Sequence, residues 1–236
     1  MTPSPDPEVF AAEYAASRVR IREVIEDAGG DAAARRMIPA CPEWNIVNVC
    51  SHLTGIASDL VARRNPGPNA QAWVDGQIAE RRDRTVASLL DEWDEVGPAF
   101  EALIVKVPRA FSGLLLDVIA HEHDIRHALR RPGGRDATGV RVAMFTEAEL
   151  LNRDLTAQGL PAVRMAANGD EWVCGVGDPG LVLDLGDDPA ATWELTRLLG
   201  SRRSLAQMAT YPWQGDWERF VPALAHMALP DHDLVE

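Results

Sequence analysis

Leu114-Leu115-Leu116-Asp117-Val118-Ile119-Ala120-His121-Glu122-His123-Asp124-Ile125-Arg126-His127 is the stretch on which the fold turns. Its first half is apolar enough for a helix buried in a bundle, yet it carries Asp117. A carboxylate there costs several kcal/mol or stays protonated unless it finds a partner. Asp117 and His121 are four residues apart, so one turn of helix projects an acid and an imidazole toward one spot. At about 100° per residue, Asp117, His121 and Asp124 cluster within about 60° around the axis. His123 lies about 160° from His121 by the same rotation. That phase favours the Asp117/His121 face over a competing set of His52, His123 and His127, whose helix neighbours Arg126, Arg130 and Arg131 point to polar surroundings.

A second helix supplies a further donor. Cys41-Pro42-Glu43-Trp44-Asn45 reads as an entry turn with Asn45 as N-cap. Val49, His52, Leu53, Ile56 and Leu60 then recur three or four apart and share one face. Packing this helix on the first brings His52, Asp117 and His121 together as an N,N,O set. Three protein ligands with an open fourth position is the arrangement of catalytic zinc. Such an ion lowers the pKa of a bound water or thiol. Nickel or another transition ion suits the same ligands. Asp124 and Asp59 each lie seven residues from a proposed ligand, where a carboxylate can fix an imidazole tautomer. A surface salt bridge is the alternative reading of both. His121-Glu122 is no zincin motif, because position 125 is isoleucine.

Working outward, Asp6-Pro7-Glu8 opens a helix over residues 7–28, and Asn65-Pro66-Gly67-Pro68 stops the one that carries His52. A short helix is predicted over 70–83. Thr85 caps another that runs to Lys106, with Pro98 kinking or splitting it. Ser112 caps the helix of residues 113–130, and a further helix covers 139–157. After Pro161 the period changes. Val163-Arg164-Met165-Ala166, Trp172-Val173-Cys174-Gly175-Val176 and Leu181-Val182-Leu183-Asp184-Leu185 are strand-like, with turns at Asn168-Gly169 and Asp178-Pro179-Gly180. Helices are predicted near 189–199 and 217–228. The fold class is therefore α+β: a helical bundle over 1–158, then a small α/β domain over 159–236.

The 236 residues suffice for two domains without disulfide staples. A formal charge of −13 repels phosphate backbones and anionic lipid, which argues against nucleic acid and membrane surfaces as partners. Three cysteines without a CxxC pair, and an opening MTPSPDPEVF without a charged-then-apolar leader, point to a soluble protein of the reducing cytoplasm. Residues 112–120, the most apolar run, are far too short to span a bilayer.

These segments resemble a known family. Cys41-Pro42-Glu43-Trp44-Asn45-Ile46-Val47 leading to His52-Leu53, and the acid-x-x-x-His-x-x-Asp-Ile run from Asp117 to Ile125, are similar to DinB-like four-helix bundles. Among these they resemble the mycothiol-dependent maleylpyruvate isomerase family. The resemblance implies a metal held by His52, Asp117 and His121, although the isomerase carries glutamate where this chain has Asp117. The C-terminal part resembles that family's small α/β domain, through Val163-Arg164, Asp170-Glu171-Trp172-Val173 and Gly175-Val176-Gly177. Gly200-Ser201-Arg202-Arg203-Ser204 is similar to a Ser-Gly-Arg-Arg-Ser segment with its first two residues exchanged, and Arg202 is the candidate for holding a substrate carboxylate.

The resemblance implies mycothiol as thiol cosubstrate, a small electrophilic substrate, and isomerisation by thiol addition or transfer of the thiol. Cys41 and Cys50 read first as core cysteines. The alternative function is a non-catalytic metal-binding or regulatory protein on the same scaffold, and a third reading keeps the bundle with no metal.

Overall fold

The computed structural model describes residues 5–236, apart from the side chains of residues 109 and 110. Residues 1–4, part of the opening read for a leader, lie outside them. By contact the chain divides into two units, residues 6–133 and residues 134–235.

The first unit is helical. Helix α1 (Pro7–Asp27) starts where Asp6 accepts a hydrogen bond from the Glu8 amide at 2.9 Å. A two-stranded ribbon follows, β1 (Met37–Ile38) antiparallel to β2 (Cys41–Asn45). The Cys-Pro-Glu-Trp-Asn segment expected as a turn is thus extended and paired, and it delivers the chain into α2 (Ile46–Val61). There Asn45 and Asn48 form a reciprocal capping box, which satisfies two backbone donors that the helix cannot. Asn69 caps α3 (Ala70–Glu80) and Thr85 caps α4 (Val86–Lys106). Pro98 sits inside α4 without splitting it.

Helix α5 (Pro108–Leu129) begins at Pro108, not at Ser112 as expected. Proline at the first helical position costs no hydrogen bond, because that amide has no partner within the helix anyway. The helix ends at Arg130, whose φ of 55° is left-handed.

Helices α1, α2, α4 and α5 form a four-helix bundle in which α1 and α2 each pack on α4 and α5. Its core holds Phe10, Tyr14, Ile21, Ile25, Val49, Leu53, Ile56, Leu89, Trp93, Phe100 and Leu115, all buried. Each such side chain adds about 1.5–3 kcal/mol by leaving water. Trp93 Nε1 donates to Tyr14 Oη at 2.9 Å, so the one polar group of each ring is satisfied inside the core.

The second unit begins with α6 (Thr138–Gln158) and continues with β3 (Ala162–Ala167), β4 (Asp170–Cys174), β5 (Pro179–Asp184) and α7 (Ala191–Leu199). A four-residue helix, α8 (Leu205–Met208), and the short strand β6 (Trp213–Gln214) follow. The sheet order is β4-β3-β5-β6, with β3 parallel to β5 and the other pairs antiparallel. Asn168 and Gly169, at φ 50° and 77°, make the two-residue β3–β4 turn that suits the twist of a hairpin.

The helix of 139–157, grouped by sequence with the bundle, belongs by contact to this unit. Its Met144, Leu151 and Leu155 join Val163, Met165, Leu181, Leu183, Leu195 and Leu198 in one core. In place of the helix predicted at 217–228 there is a 3-10 turn at Trp217–Phe220 and then α9 (Val221–Leu224). Pro222 falls in the first turn of α9, where its missing amide hydrogen costs no helical hydrogen bond, so the α-helix starts there and not at residue 217.

No helix among the described residues is long and apolar enough to cross a membrane.

Candidate functional site

The bundle brings His52, Asp117 and His121 to one point. His52 comes from α2, and the other two lie one turn apart on α5, which packs beside it. His52 Nε2 is 3.2 Å from Asp117 Oδ2, and His121 Nε2 is 3.5 Å from Asp117 Oδ1. The two imidazoles meet edge to face, with ring centroids 5.7 Å apart. Both are buried, whereas the Asp117 side chain keeps 30% of its surface exposed. The acid thus forms the solvent-facing side of the cluster.

Each imidazole turns its other nitrogen to an oxygen. His52 Nδ1 lies 3.1 Å from Gln77 Oε1, and His121 Nδ1 lies 3.1 Å from Asp124 Oδ2. An oxygen of this kind only accepts, so Nδ1 carries the proton in both rings. The lone pairs of both Nε2 atoms then face the carboxylate. Three acceptors this close repel one another, and the cluster calls for a cation at its centre, a proton or a metal ion. Burial pulls the His52 imidazole down, but Asp117, with help from the Gln77 hydrogen bond, outweighs it and holds the group above the usual histidine range.

Among the described residues, the donor groups close enough to share an ion are this triad and a second set, Cys41, His121 and Asp124. His123 and His127 are in neither. His123 is nevertheless buried, contrary to the polar surroundings expected of it. That side of α5 faces α1, where Glu122 is buried as well, so α5 has two inward faces.

Trp44 is a part of the site that the sequence reading passed over. Its ring lies 5.4 Å from that of His52 and is stacked at 5.9 Å on that of His121. Gln77 is a second. It is the one fully buried residue of α3, whose other residues are half-buried or exposed.

Asp59 does not touch an imidazole. It accepts from Gln77 Nε2 at 3.3 Å and from Arg64 Nε at 2.8 Å, so it reaches His52 only through Gln77. Asp124, fully buried, contacts His121 directly.

Residues 14–126 match the family model of the mycothiol maleylpyruvate isomerase N-terminal domain. The helical unit belongs to that family. The matched span contains His52, Asp59, Gln77, Asp117, His121 and Asp124, and it stops short of the second unit. No curated protein and no solved structure matches the chain.

Arg202 lies in the second unit, buried, with Nη1 donating to the Gly200 carbonyl at 2.7 Å. Its neighbour Arg203 is committed to Glu194, with Nε at 2.5 Å and Nη2 at 2.7 Å, and its guanidinium lies over the Trp193 ring. Ser201 takes a left-handed φ of 60°, and its hydroxyl accepts from the Met227 amide at 3.0 Å. The exchange noted in the Gly200-Ser201 pair therefore puts serine in a conformation that suits glycine, held by a side-chain hydrogen bond.

Proposed function

We propose that the bundle binds one divalent metal ion, zinc, through His52, Asp117 and His121, and serves a reaction of a low-molecular-weight thiol. Mycothiol is the thiol to which the family points. The observation that carries the reading is the inward direction of three acceptor atoms, with both Nδ1 atoms tied as donors to outer oxygens. This is how metal-ligating histidines are held. When bound, the ion supplies the Lewis acidity that keeps a thiol as its thiolate, the reactive form.

The chain's own groups do the rest. His52 and His121 hold two positions with fixed rings. Asp117 brings a negative charge and leaves its outer side open to a cosubstrate. Trp44 walls the imidazoles with an apolar face. Cys50 is no rival nucleophile: it is fully buried, and burial pushes its thiol up to about 12. The reaction is then isomerisation of a cis double bond by addition and loss of the thiol, or transfer of the thiol to an electrophile. Arg202 is the proposed partner of the substrate carboxylate.

The test starts from metal analysis of protein purified without an affinity tag, with one zinc per chain expected. Loaded protein is then mixed with mycothiol and either maleylpyruvate or a thiol-reactive electrophile, and isomer ratio and thiol loss are followed. Turnover with one of them is the expected result. Stoichiometric metal with no turnover for any thiol would replace the enzyme by a non-catalytic metal-binding protein, and absence of metal would end the reading.

A further inference from the structure

His52 faces a choice that His121 does not. The partner of His121 is a carboxylate, which can only accept. The partner of His52 is an amide, which offers an oxygen on one side and an NH2 on the other. Turned the other way, Gln77 would present N–H to Nδ1, draw the proton to Nε2 and aim that proton at the centre of the cluster.

Three features set the direction. Asp59, buried, stands at the far end of the amide, 3.3 Å from Gln77 Nε2, and as a carboxylate it accepts only from the NH2 end. Arg64 binds the other oxygen of Asp59 at 2.8 Å through Nε, which holds that carboxylate in place. Gly55 gives the stem its room, because a Cβ there would stand 2.7 Å from both Cβ and Cγ of Gln77. Donation therefore runs from His52 through Gln77 to Asp59, and Arg64 meets that carboxylate from its other side as a second donor.

We infer that Gln77, aligned by Asp59 and Arg64, is the positioning residue of His52, holding the proton on Nδ1 and the Nε2 lone pair toward Asp117. The inference rests on the metal reading above and adds to it a device outside the ligands themselves. It also gives a reason why the one fully buried side chain of α3 is an amide.

The test uses the full chain and zinc alone as probe. Gln77→Met keeps the bulk of the side chain and removes the acceptor. Its zinc affinity, read by competition with a chromogenic chelator, is expected to fall about tenfold or more. The double variant Gln77→Glu with Asp59→Asn again sets an acceptor against Nδ1, with a donor behind it, and is expected to regain most of the affinity. In 15N-labelled, zinc-loaded protein the His52 Nδ1–H should be sheltered from solvent exchange in the wild type and the double variant, and lost in Gln77→Met. Helix content read in parallel excludes an unfolded variant. Tight zinc binding by the wild type with unchanged affinity in Gln77→Met, or failure of the double variant to recover it, overturns the inference and leaves the metal site standing. A wild type that binds no zinc overturns both.

Discussion

Replacing His121 by alanine is expected to lower zinc affinity by at least about 100-fold, the upper end of what the loss of an outer hydrogen-bond partner costs. His121 contributes one of the three inward atoms, and its removal also takes one contact from the buried Asp124. The metal-free fold should nonetheless survive. The bundle core is built by Leu53, Trp93, Phe100, Leu115 and their neighbours, and none of them depends on an ion. Metal content and helix content, measured on one preparation, separate the two effects. Undiminished zinc in the variant would place the ion elsewhere, because both donor sets found among the described residues contain His121.

The second large effect lies one residue along the helix. Glu122 is buried between α1 and α5. It accepts from Arg20 through Nε at 2.9 Å and Nη2 at 2.8 Å, from Ser17 Oγ at 2.8 Å and from Arg126 Nε at 3.0 Å. Glu122→Gln is expected to cost about 3 kcal/mol, because removing one side of a buried pair strands the other. Urea unfolding followed by helix content measures it, as a lower midpoint at unchanged slope. Burial alone would raise the Glu122 carboxyl, but the Arg20 hydrogen bonds and charge, with Ser17, hold it below the usual carboxylate range. Its folded pKa is thus the lower one, so its stabilisation is complete above the unfolded value and disappears as pH falls through the folded value. The gap between wild type and variant should therefore be widest near neutrality and close in acid. A gap independent of pH would mean that Glu122 acts by packing and not by charge.

How much of this could be read from residues alone follows from what each signal records. Asp117 and His121 are visible because an acid inside an apolar helical run needs a reason, and because four residues is one turn. His52 is visible because its helix has a clean apolar period. Gln77 gives no such sign: the apolar residues of α3, Trp73, Val74 and Ile78 among them, are only half-buried, and nothing in their spacing marks the amide as the residue that goes inside. Asp59 lies on the predicted face, but distance along a helix does not say that another side chain stands between it and the imidazole. The burial of His123 escapes the helical-phase argument because that argument assumed one inward face, whereas α5 meets α2 on one side and α1 on another.

The errors of extent have local causes. Pro108 starts a helix, where proline in a run of sequence is commonly read as an end. Pro222 breaks into short turns what periodicity had joined. The 139–157 helix looks like one more bundle member until its apolar face is matched to a sheet.

The cluster spans two helices with no covalent tie between them, and its outer oxygen on the His52 side comes from a third, α3. A bound ion would act there as a removable cross-link. By mass action it would favour the folded bundle by about 2.7 kcal/mol at a free concentration one hundred times its dissociation constant, and by about 4.1 kcal/mol at one thousand times. The melting temperature of the bundle would then rise with free zinc and fall on chelation, with α3 the first segment to loosen. Hydrogen exchange in the α3 amides would thereby report how much of the protein is loaded.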